Sequence, residues 1–140
     1  MAKRYLLAVV AVFIAWSAMD FLIHGVILKA AYEETASLWR PMLEMKMALM
    51  YGVVFVAALA FVGLYAAMGL PKSIAAGFKF GFLFGIAAGL PMGFGSYSVM
   101  PIPVDMATVW FVGSLAEAIA GGVIAASIFK SCYIGKCCCS

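Results

Sequence analysis

Six acids, one histidine and a handful of hydroxyls are what this 140-residue chain has for chemistry. Ser17, Asp20 and His24 are spaced three and four apart inside an apolar run, so a helix puts them on one face. Trp110, Ser114, Glu117 and Gly121 make a second stripe of the same kind near the other end of the chain. A carboxyl group placed in hydrocarbon-like surroundings resists ionisation and suits a proton relay. The plainer reading is polar glue: Asp20 and His24 bonded to each other, and Glu117 to a hydroxyl or a carbonyl. A metal centre has little support, because catalytic zinc takes about three His or carboxylate ligands and the chain has one His. Haem held by two His of one chain is excluded on the same count.

Two further groups have metal-binding or reactive side chains. Met42, Met45, Met47 and Met50 offer thioethers that suit Cu(I), but they do not share one helical face, which favours gap-filling. Cys132, Cys137, Cys138 and Cys139 lie in the tail 131–140 beside Lys130 and Lys136. Their spacing fits no zinc knuckle and resembles an S-acylated juxtamembrane anchor; an unstructured polar end is the alternative. In a cytoplasmic tail these thiols are expected to be reduced. No catalytic group, metal or cofactor is assigned, although a lipid or quinone between helices stays open.

The elements that must hold these residues are apolar rods. Hydrophobic residues make up 67% of the chain and charged ones 11%, against about 25% charged in soluble domains, so a soluble fold is excluded. Spans are expected at 5–28, 43–69, 73–90 and 104–129, filling one membrane domain and leaving no room for a soluble one. The first run is too long for a signal-peptide core and is expected to be retained. Between the first two spans, residues 30–40 suggest a short interfacial helix anchored by Tyr32 and Trp39 and stopped before Pro41. Pro91 is expected to end the third span, giving an irregular outer loop over 91–103 that possesses Gly, Ser and Pro in quantity. The fold class is therefore all-α, an integral membrane four-helix bundle.

Within the third span Gly77, Gly81, Gly85, Gly89 and Gly93 recur every fourth residue. That ladder shaves one helix side flat and lets a neighbour approach closely, which makes this span the expected packing centre, with Gly121 as a further close-packing point. Lys3, Arg4, Lys72, Lys79, Lys130 and Lys136 fall on one side of the bundle, and Lys29, Arg40 and Lys46 on the other. Every acid lies on the second side or within a span. The basic excess puts both termini in the cytoplasm. The net charge of +3 follows from this topology and gives no support to nucleic-acid binding. From the outer surface Asp20 lies roughly 12 Å deep and Glu117 roughly 18 Å, so they can meet if the first and last spans are neighbours.

From Phe21 to Pro41 the chain resembles a group of small four-helix bacterial inner-membrane proteins without an assigned activity. The matching positions are His24, Gly25, Tyr32, Trp39, Arg40 and Pro41, together with Pro101 and Glu117. The resemblance implies the fold and an inner-membrane location, and brings no reaction with it. Lipids and other membrane chains are the expected partners. The expected function is a helix-packing accessory or oligomeric subunit of a membrane complex; the alternative is a proton- or cation-handling transporter built on Asp20, His24 and Glu117.

Overall fold

The computed structural model describes residues 2–71 and 73–130. The cysteines of the tail lie outside the described residues. Among those residues every regular element is helical. Helix α1 (Ala2–Leu22) runs on into a π turn at Ile23–Ile27, and α2 (Lys29–Glu34) follows at once. Two 3₁₀ turns, Ala36–Leu38 and Met42–Glu44, lead into α3 (Met47–Ala67). Then come α4 (Ile74–Leu90), a second π turn at Pro91–Gly95, α5 (Ser96–Val99) and α6 (Val104–Lys130). Four stretches are long and apolar enough to cross a membrane: Ala2–Ile27, Met47–Ala67, Ile74–Val99 and Val104–Lys130.

Three boundaries differ from those expected of the sequence. Residues 43–46 do not belong to the second span, because Pro41 fixes an extended approach and α3 starts only at Met47. The stretch 30–40 is a six-residue helix followed by a 3₁₀ turn rather than one helix. Most of 91–103 is helical. Pro91 has no N–H and its ring crowds the carbonyl four residues back; the chain absorbs this by widening into a π turn, and then continues to Val99. Only 100–103 is irregular.

The hub of the bundle is α6, not the glycine-rich third span. It packs closely on α4, on α1 and, over a shorter stretch, on α3. Small residues on several of its sides allow this: Ala107, Gly113, Ala118, Gly121, Gly122, Ala125 and Ala126 are all buried. The ladder of α4 lies against it rung by rung. A Cβ on Gly77 would overlap the Gly122 carbonyl oxygen, and one on Gly81 the Ala118 carbonyl oxygen. Gly85 meets Leu115 and Ala118, Gly89 meets Phe111 and Ser114, and Gly93 meets Ala107 and Phe111. The flat side is thus filled from within the chain. Gly121 has a different task, seating the rings of Trp16 and Phe61.

The core has two parts. The larger one, towards the N terminus and the end of α6, gathers Val9, Val12, Trp16, Phe61, Val62, Tyr65, Phe80 and Phe129. Its rings interlock, with Phe61 against Trp16, Phe80 and Phe84 at centroid distances of 5.1, 4.9 and 4.9 Å. The smaller core lies at the opposite end, where α1 passes into α2 (the connector end), and holds Leu28, Ile102, Met106, Ala107 and Trp110.

Candidate functional site: a polar cavity between the two cores

Asp20, His24, Ser114 and Glu117 come together because α1 and α6 are neighbours. Gly113 permits the approach: a Cβ there would meet the Ile23 side chain at 2.9 Å. These groups line a cavity of about 100 Å³, closed in by Ile23, Met92, Trp110 and Gly113. Both π turns border it, one supplying His24 and the other Met92. In the first, the Leu28 N–H bonds the Ile23 carbonyl five residues back at 2.9 Å, which inserts a residue between the Asp20 face and α2. Such insertions are common where a helix must aim a side chain.

A line of polar contacts runs into the cavity from the connector end. The Trp110 indole N–H donates to the Tyr32 hydroxyl at 3.0 Å. The same hydroxyl lies 2.7 Å from His24 Nδ1. Indole only donates, so Tyr32 accepts there, which leaves its own hydrogen available to Nδ1. With the Tyr32 hydrogen on Nδ1, the His24 hydrogen sits on Nε2, which faces Asp20 Oδ1 at 3.8 Å. The distance is too long for a direct hydrogen bond and is a Coulombic contact. The Asp20 and Glu117 carboxyls line the same cavity, and Glu117 Oε1 is buried without a protein partner. Roughly a third of the Asp20 and His24 side-chain surface stays open, 31% and 38%.

Tyr32 and Trp39 belong to one aromatic cluster with Trp110. Both are half-buried, and their rings meet edge to face at 5.2 Å, with Trp39 at 6.0 Å from Trp110. Trp39 is pinned by its indole N–H on the Thr35 hydroxyl at 2.8 Å. Burial raises the Tyr32 phenol above its ordinary value; the Trp110 bond works against this and the Asp20 charge with it. Tyr32 therefore keeps its hydrogen throughout the neutral range.

Beyond Glu117 the polar line stops. The Trp16 indole N–H donates to the Glu117 backbone carbonyl at 2.6 Å, and the aromatic core begins there. Ser17, expected in the cluster, does not line the cavity, and its hydroxyl is buried without a partner. The methionines Met42, Met45, Met47 and Met50 are exposed. No group of three or more His, Cys, Asp or Glu capable of holding a metal occurs among the described residues. Sequence reasoning missed Tyr32 as a partner of His24; their separation of eight residues was the available signal, obscured by the unforeseen π turn.

Comparison with known protein families, with curated proteins and with solved structures returns no match.

Proposed function

We propose that this chain is a small integral membrane protein that handles protons at the Asp20–Glu117 pair. The supporting observation is the convergence of Asp20, His24, Ser114 and Glu117 on one cavity of about 100 Å³ in which Glu117 Oε1 lacks a protein partner. That volume accommodates about three waters at roughly 30 Å³ each. It falls below the lower end of ligand pockets, about 300 Å³, so a quinone headgroup is a poor fit. Water bridging His24 Nε2 to Asp20 makes the line from Tyr32 continuous. Each group then passes on one proton as it receives one, and Glu117 stands next to Asp20 in the cavity lining as the following member of the line. Lys3, Arg4, Lys79 and Lys130 at the opposite end favour a cytoplasmic placement of both termini in a bacterial inner membrane. In liposomes, Glu117→Gln is expected to abolish proton flux while leaving thermal unfolding unchanged. Equal flux in the variant and the parent, or none in the parent, would refute the reading.

The accessory-subunit reading draws on a different observation. Only 17% of the apolar window of α3 is buried, against 28% in the other three spans. The glycine ladder no longer argues for a partner, since α6 occupies it. A cysteine at Val56, which is 61% exposed, is expected to cross-link to a second copy or another chain if α3 is an interface. A monomer in mild detergent that gives no cross-link in native membranes would leave that face to lipid.

A further inference from the structure

Helices α3 and α4 are joined by a tight turn on Gly69, with φ at 61°, yet they do not pack closely along their lengths. Their inner faces meet through rings, Phe61 on Phe80 and Phe84, and Tyr65 on Phe80. Outside those rings lies a groove of about 570 Å³. Its walls are Leu64, Met68, Leu70, Leu83 and Phe84, apolar side chains that any acyl chain would suit. Two polar groups interrupt them, Ser73 and Lys79. Lys79 is exposed, has no ion pair among the described residues, and no acid lines the groove.

A lysine inside a spanning helix is costly unless its ammonium reaches water or an anion. Lys79 lies six residues past Ser73, roughly 9 Å along α4, within reach of a side chain that bends back towards the helix start. There Ser73 accepts the Ala76 N–H at 3.2 Å and retains its hydroxyl hydrogen for another acceptor. The start of a 17-residue helix also favours negative charge. A cation, a hydroxyl and a helix start at one end of an apolar groove between two spans match the parts of one molecule class.

We propose that the α3–α4 groove binds an anionic phospholipid, its phosphate on Lys79 and Ser73 and one acyl chain along Leu64, Met68 and Leu83. The charge of the groove excludes a zwitterionic lipid from equal standing, because a choline headgroup brings its own cation to Lys79. The binding is independent of the proton site, which lies nearer the opposite end and shares no residue with it.

Native mass spectrometry of the full chain, released from detergent with phosphatidylglycerol or phosphatidylcholine added in equal amounts, tests this. The parent is expected to retain phosphatidylglycerol about fivefold better, the scale of one lysine near an anionic lipid surface. Lys79→Met keeps the stem and is expected to erase the preference; Lys79→Arg is expected to keep it. Leu83→Trp fills the groove from an exposed position and is expected to lose bound phosphatidylglycerol with Lys79 intact. Glycerol phosphate, which has no acyl chain, is expected not to displace the lipid. Equal retention of the two lipids by the parent overturns the proposal, as does an undiminished preference in Lys79→Met or displacement by glycerol phosphate.

Discussion

Tyr32 holds its place through two bonds with one oxygen, one accepted from Trp110 and one shared with His24 Nδ1. Replacing it by Phe removes both bonds, and leaves the Trp110 N–H and His24 Nδ1 without partners. An unmade bond at a buried group costs about 1–3 kcal/mol, so Tyr32→Phe is expected to lower stability on that scale in a detergent unfolding series. The more specific consequence is at His24. Nitrogen NMR of the parent is expected to show hydrogen on Nε2 alone at neutral pH, whereas the variant is expected to populate both tautomers. A parent already mixed between tautomers would contradict the assigned direction of the Tyr32 bond. Asp20, His24 and Glu117 were legible as a group because polar residues stand out in an apolar chain and the depths of Asp20 and Glu117 differ by only about one helical turn. Ser17 was included on periodicity alone. Three residues before Asp20 on α1 it still falls outside the cavity lining, because the cavity extends from Asp20 towards the connector end and Trp16, not Ser17, faces α6 at that level.

At the scale of elements, the glycine ladder illustrates what spacing does and does not reveal. The four-residue period correctly marked a flat side on α4, but a flat side does not name its occupant. The occupant is α6, whose own Gly122 is as tightly placed against Gly77 as Gly77 is against Gly122. The rungs are unequal, and this yields a graded prediction. At Gly81 a methyl group would press on the backbone at Ala118 and Ile119, which cannot move aside without parting the helices. Gly81→Ala is expected to cost about 3 kcal/mol, the upper part of the usual overpacking range. At Gly89 the nearest atoms, in the Phe111 ring, the Phe111 carbonyl and Ser114, are 3.2–3.3 Å away and need to give far less, so Gly89→Ala is expected to cost clearly less. Gly52 on α3 has nothing within 4 Å. Gly52→Ala is therefore expected to be neutral or to stabilise by about 0.5–1 kcal/mol through helix propensity. Unfolding midpoints of the three variants in one detergent check the order. The π turns, by contrast, were not legible: a proline predicts a break or a kink, and whether the chain ends or widens there depends on the packing of Gly93 against Ala107 and Phe111, which lies far along the sequence.

The whole molecule is divided along its length. A hydratable cavity lies between the two cores, and the ring-filled one closes the half of the molecule from Trp16 onward. Four apolar spans were readable from composition, but this division was not, since Phe61, Phe80 and Phe129 come from three different helices and meet only in the fold. The division implies access from one side alone. With the four tail cysteines changed to serine, Ser114→Cys places a single thiol at the cavity wall without altering its size much. A small charged methanethiosulfonate reagent is expected to label that thiol when applied from the connector side of oriented membranes, and not from the other side. Trp16 is the first ring beyond Glu117 and is held by a bond to that residue's own carbonyl, so it forms the boundary. Adding Trp16→Ala removes both the ring and the bond, and is expected to make the thiol reactive from both sides. Labelling from both sides in the presence of Trp16 would mean that the aromatic core does not close the path. Labelling from neither side would mean that the cavity takes up no water, and with that the proton line from Tyr32 to Glu117 would lose its continuity.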